Sequence, residues 1–346
     1  MDETGGGNND WIRGFRAIAE AEAAEWRFAG AVLVGRGGER VLAEAYGLAD
    51  REEKIPNEVS TRFRNGSLTK MFTAVAVGRL IQAGLVDPAA PVGAYLTGYP
   101  NRDVATKVTV HQLLTHTGGT GDIFGPEYEE HHRDVRTVAD FVRLLGGRGP
   151  LYEPGAWYDY SNYGFVLLGA VIEQVSGQSY YDYVDDHVFA PAGMTRTGAL
   201  PYDGTVAELA VGYTAESGQV TRDTDMLPYR GSPAGGGYTT VEDLWRFATA
   251  LTGHRLLDAR HTTLVTTAKL NAGWSGRCVA YGFLDRTVYG VRTLGCLGGS
   301  PGASAELTIY PGSGHVVAVL ANLDPPAAWQ AAEFICHRLP VRVSHR

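Results

Sequence analysis

A chain of 346 residues is long enough to bury a large core, either as one big domain or as two intimately joined ones. Hydrophobic residues at 44% and charged residues at 20% fit an ordinary globular protein, and a formal charge of -8 with no basic stripe excludes a nucleic-acid partner. No uninterrupted apolar run approaches the roughly 20 residues a spanning helix needs, so no membrane partner is expected.

Residues 1–9 are rich in Gly and Asn and lack an apolar stretch, which reads as a disordered tail and not as a signal peptide or an anchor. Trp11, Ile12, Phe15, Ile18 and Ala19 recur at helical spacing and predict an amphipathic helix over 10–26. Two β-rich runs over 29–47 flank Arg36-Gly37-Gly38-Glu39, the pattern of a hairpin.

Residues 64–77 then pass from a polar turn into an apolar helix, with Ser67 and Lys70 three apart. Side chains at that spacing share a helix face, so the Lys70 amine can stand beside the Ser67 hydroxyl at a helix start, where backbone N–H groups and the dipole favour negative charge. A serine hydroxyl is a poor nucleophile unless something takes its proton. Alone, the same four residues also fit a helix cap next to a solvated lysine.

Gly84 is a natural stop for that helix. A short helix capped by Thr109 ends at Gly118-Gly119, and the polar segment 121–149, with one helix over 137–145, suits the rim of a site. Residues 153–164 form a loop dense in aromatic and polar groups, including Trp157, Tyr158, Tyr160 and Asn162. Behind it, 165–175 is almost wholly apolar and predicts a buried helix, with a second over 179–189. A glycine-rich turn leads to a helix over 241–251 with Thr240 as N-cap. From Cys278 the period changes to two, predicting strands over 279–284, 287–294, 304–310 and 315–321 before a last helix over 329–339. Strand-rich ends and a helix-rich middle imply an α/β chain of the α+β type. One antiparallel sheet is assembled from 10–65 and 252–346, and a mostly helical domain, 66–251, is inserted with the active site at the junction. Cys278, Cys296 and Cys336 are too few and odd in number for a disulfide framework, and a reducing cytoplasm is the simplest home.

Five stretches occur in one order: Ser67-Leu68-Thr69-Lys70; 109–119, Thr-Val-His-Gln-Leu-Leu-Thr-His-Thr-Gly-Gly; Tyr160-Ser161-Asn162-Tyr163-Gly164; Pro191-Ala192-Gly193-Met194; and Gly298-Gly299-Ser300-Pro301-Gly302. On these the chain resembles the serine β-lactamase-like hydrolases, in particular the group of class C β-lactamases, D-Ala-D-Ala carboxypeptidases and family VIII esterases. The resemblance implies a β-lactamase/transpeptidase-like fold. It makes Ser67 the acylated nucleophile, Lys70 its proton-accepting partner, Tyr160 a phenol or phenolate trading protons with nucleophile and leaving group, and Asn162 a hydrogen-bond partner of Lys70 or of a substrate amide. An unperturbed tyrosine titrates near 10, so Tyr160 needs a nearby cation to serve as a base, and Lys70 is the candidate. No cofactor is implied. His111, His116, His131 and His132 lack metal-ligand spacing and read as structural or surface residues.

The chain departs from the family at the strand that walls the site. Where the family carries Lys-Thr-Gly or His-x-Gly, this sequence has Cys296-Leu297-Gly298. Oxyanion stabilisation by the backbone N–H groups of Ser67 and Gly299 is expected to survive. Grip on a substrate carboxylate is not, since Leu297 offers no hydrogen bond, and poor β-lactam activity follows. Cys296 has three open readings: a small buried filler, a thiol facing the pocket near Tyr160, or a nucleophile, the last disfavoured because no histidine adjoins it. The leading expectation is a serine enzyme that takes a small-molecule acyl donor and passes the acyl group to water, as an esterase or amide hydrolase. The alternatives are a transacylase or synthase with an amine or alcohol acceptor, and a binding protein on the same fold that has lost turnover. Trp157 and Tyr158 are candidate substrate contacts.

Overall fold

The computed structural model of the chain describes residues 10–341 apart from 26, 200, 202–204, 217–218, 223–227, 273–276 and 289, so the tail expected over 1–9 lies outside the described residues. The chain opens with helix α1 (Asp10–Ala24) and the hairpin β1 (Gly30–Arg36) and β2 (Glu39–Tyr46). Arg36 pairs with Glu39 across Gly37-Gly38, both at positive φ, 58° and 90°, as a two-residue hairpin turn demands. Three longer helices occupy the middle of the chain: α2 (Thr69–Gln82), α3 (Asn162–Ser176) and α4 (Val241–Thr252). The remaining strands of the large sheet follow as β3 (Leu270–Asn271), β4 (Arg277–Val279), β5 (Leu284–Val288), β6 (Val291–Ser300), β7 (Ala303–Tyr310) and β8 (His315–Ala321), and helix α5 (Ala327–Cys336) comes last.

These strands form one antiparallel sheet in the order β2-β1-β8-β7-β6-β5-β4-β3, so the first strands of the chain sit beside the last. Alternation along β1 sorts the side chains into two layers. Val32 and Val34 meet Phe15 of α1 and Ile335 of α5 on one face, and Ala31 and Leu33 join the larger core on the other. Helix α4 packs on β1 and β8 and carries Phe247, whose ring meets that of Phe72 in α2 edge-to-face at 4.9 Å. Helices α2 and α3 are buried along most of their length and pack on each other, as a helix apolar on all sides requires. The α/β architecture expected from the sequence, an antiparallel sheet from both ends of the chain flanked by helices, is the one adopted.

Three local expectations differ. The single strand expected over 287–294 is the end of β5 and the start of β6, which pair antiparallel with Val288 opposite Val291. Ile18 lies off the buried stripe of α1 and is 45% exposed. The strand expected over 279–284 is broken: Ala280 N–H bonds to Phe283 O at 2.9 Å, and Gly282 turns at φ 70°. A Cβ on Gly282 would stand 2.5 Å from Lys70 O and 2.7 Å from Ala74 Cβ, so the chain makes a tight turn over the first turn of α2 and returns as β5. Among the described residues no helix is long and apolar enough to cross a membrane.

Candidate active site

Ser67 sits in a 3-10 turn, Gly66–Leu68, that leads directly into α2, and Lys70 falls in the helix's first turn. Because α2 is enclosed, the Lys70 side chain is enclosed with it, 2% exposed. Its Nζ lies 2.7 Å from Asn162 Oδ1, within hydrogen-bond reach of Ala234 O, and 3.2 Å from Ser67 Oγ. Two N–H groups are thus committed to acceptors, and the remaining position on nitrogen faces the serine: a third N–H when the amine is protonated, a lone pair when it is neutral. Burial pushes the Lys70 amine down from 10.5 to about 7, although Cys296 and Asp122 act in the other direction.

Tyr160 and Asn162 are placed by the start of α3. Ser161 caps the helix, its Oγ accepting from Gly164 N at 2.9 Å, which leaves Tyr160 just outside and Asn162 as the first helical residue. The Tyr160 hydroxyl donates to Ser67 Oγ at 2.7 Å, and Lys70 Nζ stands 4.7 Å from the centre of its ring. Burial, chiefly, holds the phenol above its ordinary value, so Tyr160 carries its proton at neutral pH. In the resting site the Lys70 amine lies over the ring face of Tyr160 and hydrogen-bonds to Asn162, Ala234 and Ser67.

Two residues that sequence reasoning did not bring to the site support these groups. Asp122 accepts from Asn162 Nδ2 with both carboxylate oxygens, at 2.9 and 3.0 Å, which turns Asn162 Oδ1 toward Lys70. His116 lies beneath Tyr160 with ring centroids 4.6 Å apart and 27° between planes, and its Nδ1 accepts from Ser161 N at 3.1 Å. Burial pushes His116 down to about 3, so its ring is neutral. Of the other histidines, His111 bonds through Nδ1 to Tyr281 Oη at 2.7 Å, while His131 ends a short helix (Pro126–His131) and His132 begins the turn that follows it.

The wall is the end of β6. A Cβ on Gly298 would stand 2.3 Å from Asn65 O, and one on Gly66 would stand 2.7 Å from Gly299 N, so this backbone presses directly on the serine turn. Cys296 lies 3.6 Å from Ser67 O through its Sγ, and burial pushes its thiol up to about 11. A protonated thiol, half-buried on the cavity wall, does not fit the nucleophile reading. Leu297 pairs with Glu306 of β7. Two cavities flank Tyr160. One of about 350 Å³ is lined by Lys70, Tyr158, Cys296 and Leu297 among others, and one of about 180 Å³ by Ser67, Asn162 and Gly299. Tyr158 thus reaches the site; Trp157, 58% exposed and packed on Tyr152 at 4.4 Å, lines neither cavity. A serine held between an amine and a phenol, with backbone amides alongside, has the parts required for attack on a carbonyl carbon.

The family model described as beta-lactamase matches residues 15–334. The chain belongs to the beta-lactamase family. The resemblance carried by the five sequence stretches is therefore borne out, and members of this beta-lactamase family are serine hydrolases. Similar proteins include penicillin-binding protein 4 of Amycolatopsis lactamdurans, 29% identical over 80% of this chain and 76% of that protein. Esterase EstB of Burkholderia gladioli is 36% identical over 53% of this chain and 50% of that protein. Among solved structures, a penicillin-binding protein from Bacillus halodurans has a TM-score of 0.83 at 31% identity, covering 94% of this chain and 99% of that one.

Proposed function

We propose that this protein is a serine acyl-transfer enzyme, acylated on Ser67, that hydrolyses esters or amides and has little β-lactamase activity. The observation that carries the reading is the position of Ser67 Oγ, 3.2 Å from Lys70 Nζ and 2.7 Å from Tyr160 Oη. The similarity to an esterase and to penicillin-binding proteins supports the same reaction class.

In acylation the neutral Lys70 amine takes the Ser67 proton as Oγ bonds to the carbonyl carbon. The backbone N–H groups of Ser67 and Gly299 receive the developing oxyanion. Tyr160 gives its proton to the departing oxygen or nitrogen, so the acyl-enzyme holds a Lys70 ammonium beside a Tyr160 phenolate, each stabilising the other. In deacylation Tyr160 takes a proton from water, the water oxygen bonds to the acyl carbon, and Lys70 returns its proton to the departing Ser67 Oγ. Asn162 and Asp122 hold the amine in place throughout. With Cys296-Leu297 where the family has a cation and a hydroxyl, a substrate carboxylate finds no charge-assisted partner on that wall.

Mass spectrometry after incubation with a fluorophosphonate and with p-nitrophenyl esters tests the reading. An adduct on Ser67 that is absent from Ser67→Ala supports it. Absence of any adduct, with esters or with penicillins, would instead favour a binding protein on this fold.

A further inference from the structure

The Gly299 amide that faces the serine turn belongs to a peptide unit whose other end is also held. A trans peptide points its C=O and its N–H in opposite directions. The N–H of the Gly298–Gly299 unit is turned to the serine turn, since a Cβ on Gly66 would stand 2.7 Å from Gly299 N. The carbonyl, Gly298 O, therefore points away from Ser67, toward β7 and α5. There it meets the half-buried indole of Trp329 in α5. Trp329 Nε1 donates to Gly298 O at 3.3 Å and to Ala305 O at 3.1 Å, the carbonyls of two residues that face each other across β6 and β7.

Helix α5 is itself tied to this point of the sheet. Asp324 Oδ1 accepts from Gly302 N at 2.7 Å, which holds the segment before the helix to the turn between β6 and β7. Ala328 N donates to Ser304 Oγ at 3.1 Å, and Ser304 faces Gly299 in register. A Cβ on Gly299 would stand 2.6 Å from Pro325 Cγ and 3.4 Å from Trp329 Cζ2, so the start of α5 lies directly against the wall. We infer that Trp329 is a positioning residue of the oxyanion site: its indole N–H holds the Gly298 carbonyl and so aims the Gly299 N–H at the acyl oxygen. This rests on the acyl-enzyme reading of Ser67. A donor on the carbonyl oxygen also polarises the amide and strengthens the hydrogen bond that its N–H gives. Donors of this kind stabilise a transition state when they are fixed before charge develops on the oxygen. Packing of α5 on the sheet needs the ring of Trp329, whereas this role needs its N–H.

Trp329→Phe separates the two, because it keeps an aromatic ring and removes the N–H. With p-nitrophenyl acetate, the acylation rate constant at saturation should fall about 2- to 10-fold, the range one neutral hydrogen bond provides. The apparent dissociation constant of the ester should hardly move, although the Trp329 ring also lines the larger cavity. Affinity for phenylboronic acid, whose tetrahedral adduct on Ser67 sets an oxygen at the same amides, should fall by the same factor. In the acyl-enzyme, formed from a donor with an isotope-labelled carbonyl and read by rapid-scan infrared spectroscopy, the C=O stretch should move to higher frequency as the donor weakens. A packing defect leaves that band where it is. A band that stays in place in folded Trp329→Phe overturns the inference, whatever happens to the rate, and so does a loss confined to the dissociation constant. Should Trp329→Phe not fold, benzothienylalanine at position 329, which keeps the ring and exchanges N–H for sulfur, takes its place in the same measurements. Failure of the wild-type protein to form any acyl-Ser67 overturns the reading beneath the inference, and the inference with it.

Discussion

Asp122 grips Asn162 through both carboxylate oxygens, and this fixes which end of the amide Lys70 meets. Without the carboxylate the amide is free to present its NH2 group to an amine that also donates. Asp122→Ala should leave the fold standing and lower kcat/KM for an aryl ester by roughly 100-fold, the usual cost of a misplaced catalytic group. The loss should have a second signature. The Asp122 charge raises the Lys70 value, so its removal should move the acid limb of the pH profile to lower pH, a shift that a simple packing defect does not produce.

The pH dependence of the wild-type protein follows from Lys70. Burial lowers the amine from 10.5 to about 7, so the neutral, proton-accepting form predominates above about 7 and is lost as pH falls through it. Acylation measured by pre-steady-state release of p-nitrophenol should rise with pH through 7 and then level. Tyr160 is held above its ordinary value, so no descending limb is expected near neutrality. A rate that falls between pH 7 and 9 would contradict this assignment.

Lys70→Met keeps the length and apolar stem of the side chain while removing the base. It should remain folded by circular dichroism yet acylate about 100- to 10,000-fold more slowly, the range general-base catalysis contributes. If the labelling rate of Ser67 in this variant matched the wild type, another group would have to take the serine proton.

His116 acts through Tyr160 and through the backbone. His116→Phe retains a ring under Tyr160 but leaves the buried Ser161 N–H without its acceptor, which should destabilise the protein by about 1–3 kcal/mol in urea unfolding. His116→Ala removes the stacking surface too, and should lower kcat more than KM.

On the wall, the change to Cys296-Leu297 should show as selectivity. Nitrocefin and penicillin G should be hydrolysed far more slowly than uncharged aryl esters, and Leu297→Thr should narrow the gap by restoring one hydrogen-bond donor, worth about 1.5–3 kcal/mol when its partner is charged. Turnover of penicillin G as fast as that of phenyl acetate by wild-type protein would refute the role given to the wall.

What the sequence made legible were local rules. Tyr160 and Asn162 are readable through the resemblance of Tyr160-Ser161-Asn162 to a family motif, while the helix start at Asn162 with its cap at Ser161 lay inside the loop expected over 153–164. Ser67 and Lys70 are readable because three-residue spacing sets a helix face. The hairpin at Gly37-Gly38 and the capping box at Thr109 are readable for the same reason. Asp122 and His116 were not, since a lone Asp in an irregular segment and a His in a helix-terminating turn carry no local sign of the side chains that the fold brings to them. The break at Gly282 was equally hidden. Its cause is Lys70 O, a backbone atom far away in sequence, and alternating residues over 279–284 look alike whether they form one strand or two joined by a turn.

The pairing of β1 with β8 also bears on how the molecule is made. Gly30 faces Ala321 in register, with nearly the whole chain between them. Such long-range pairing is slow, because the loop must close before contacts reward it. While the protein is still on the ribosome, β1 has its hairpin partner β2 but not its other neighbour, and its apolar edge stays open until the final strand emerges. Newly synthesised chains should therefore depend on chaperones more than an all-helical protein of this size, and translation arrested before β8 should yield a product that aggregates.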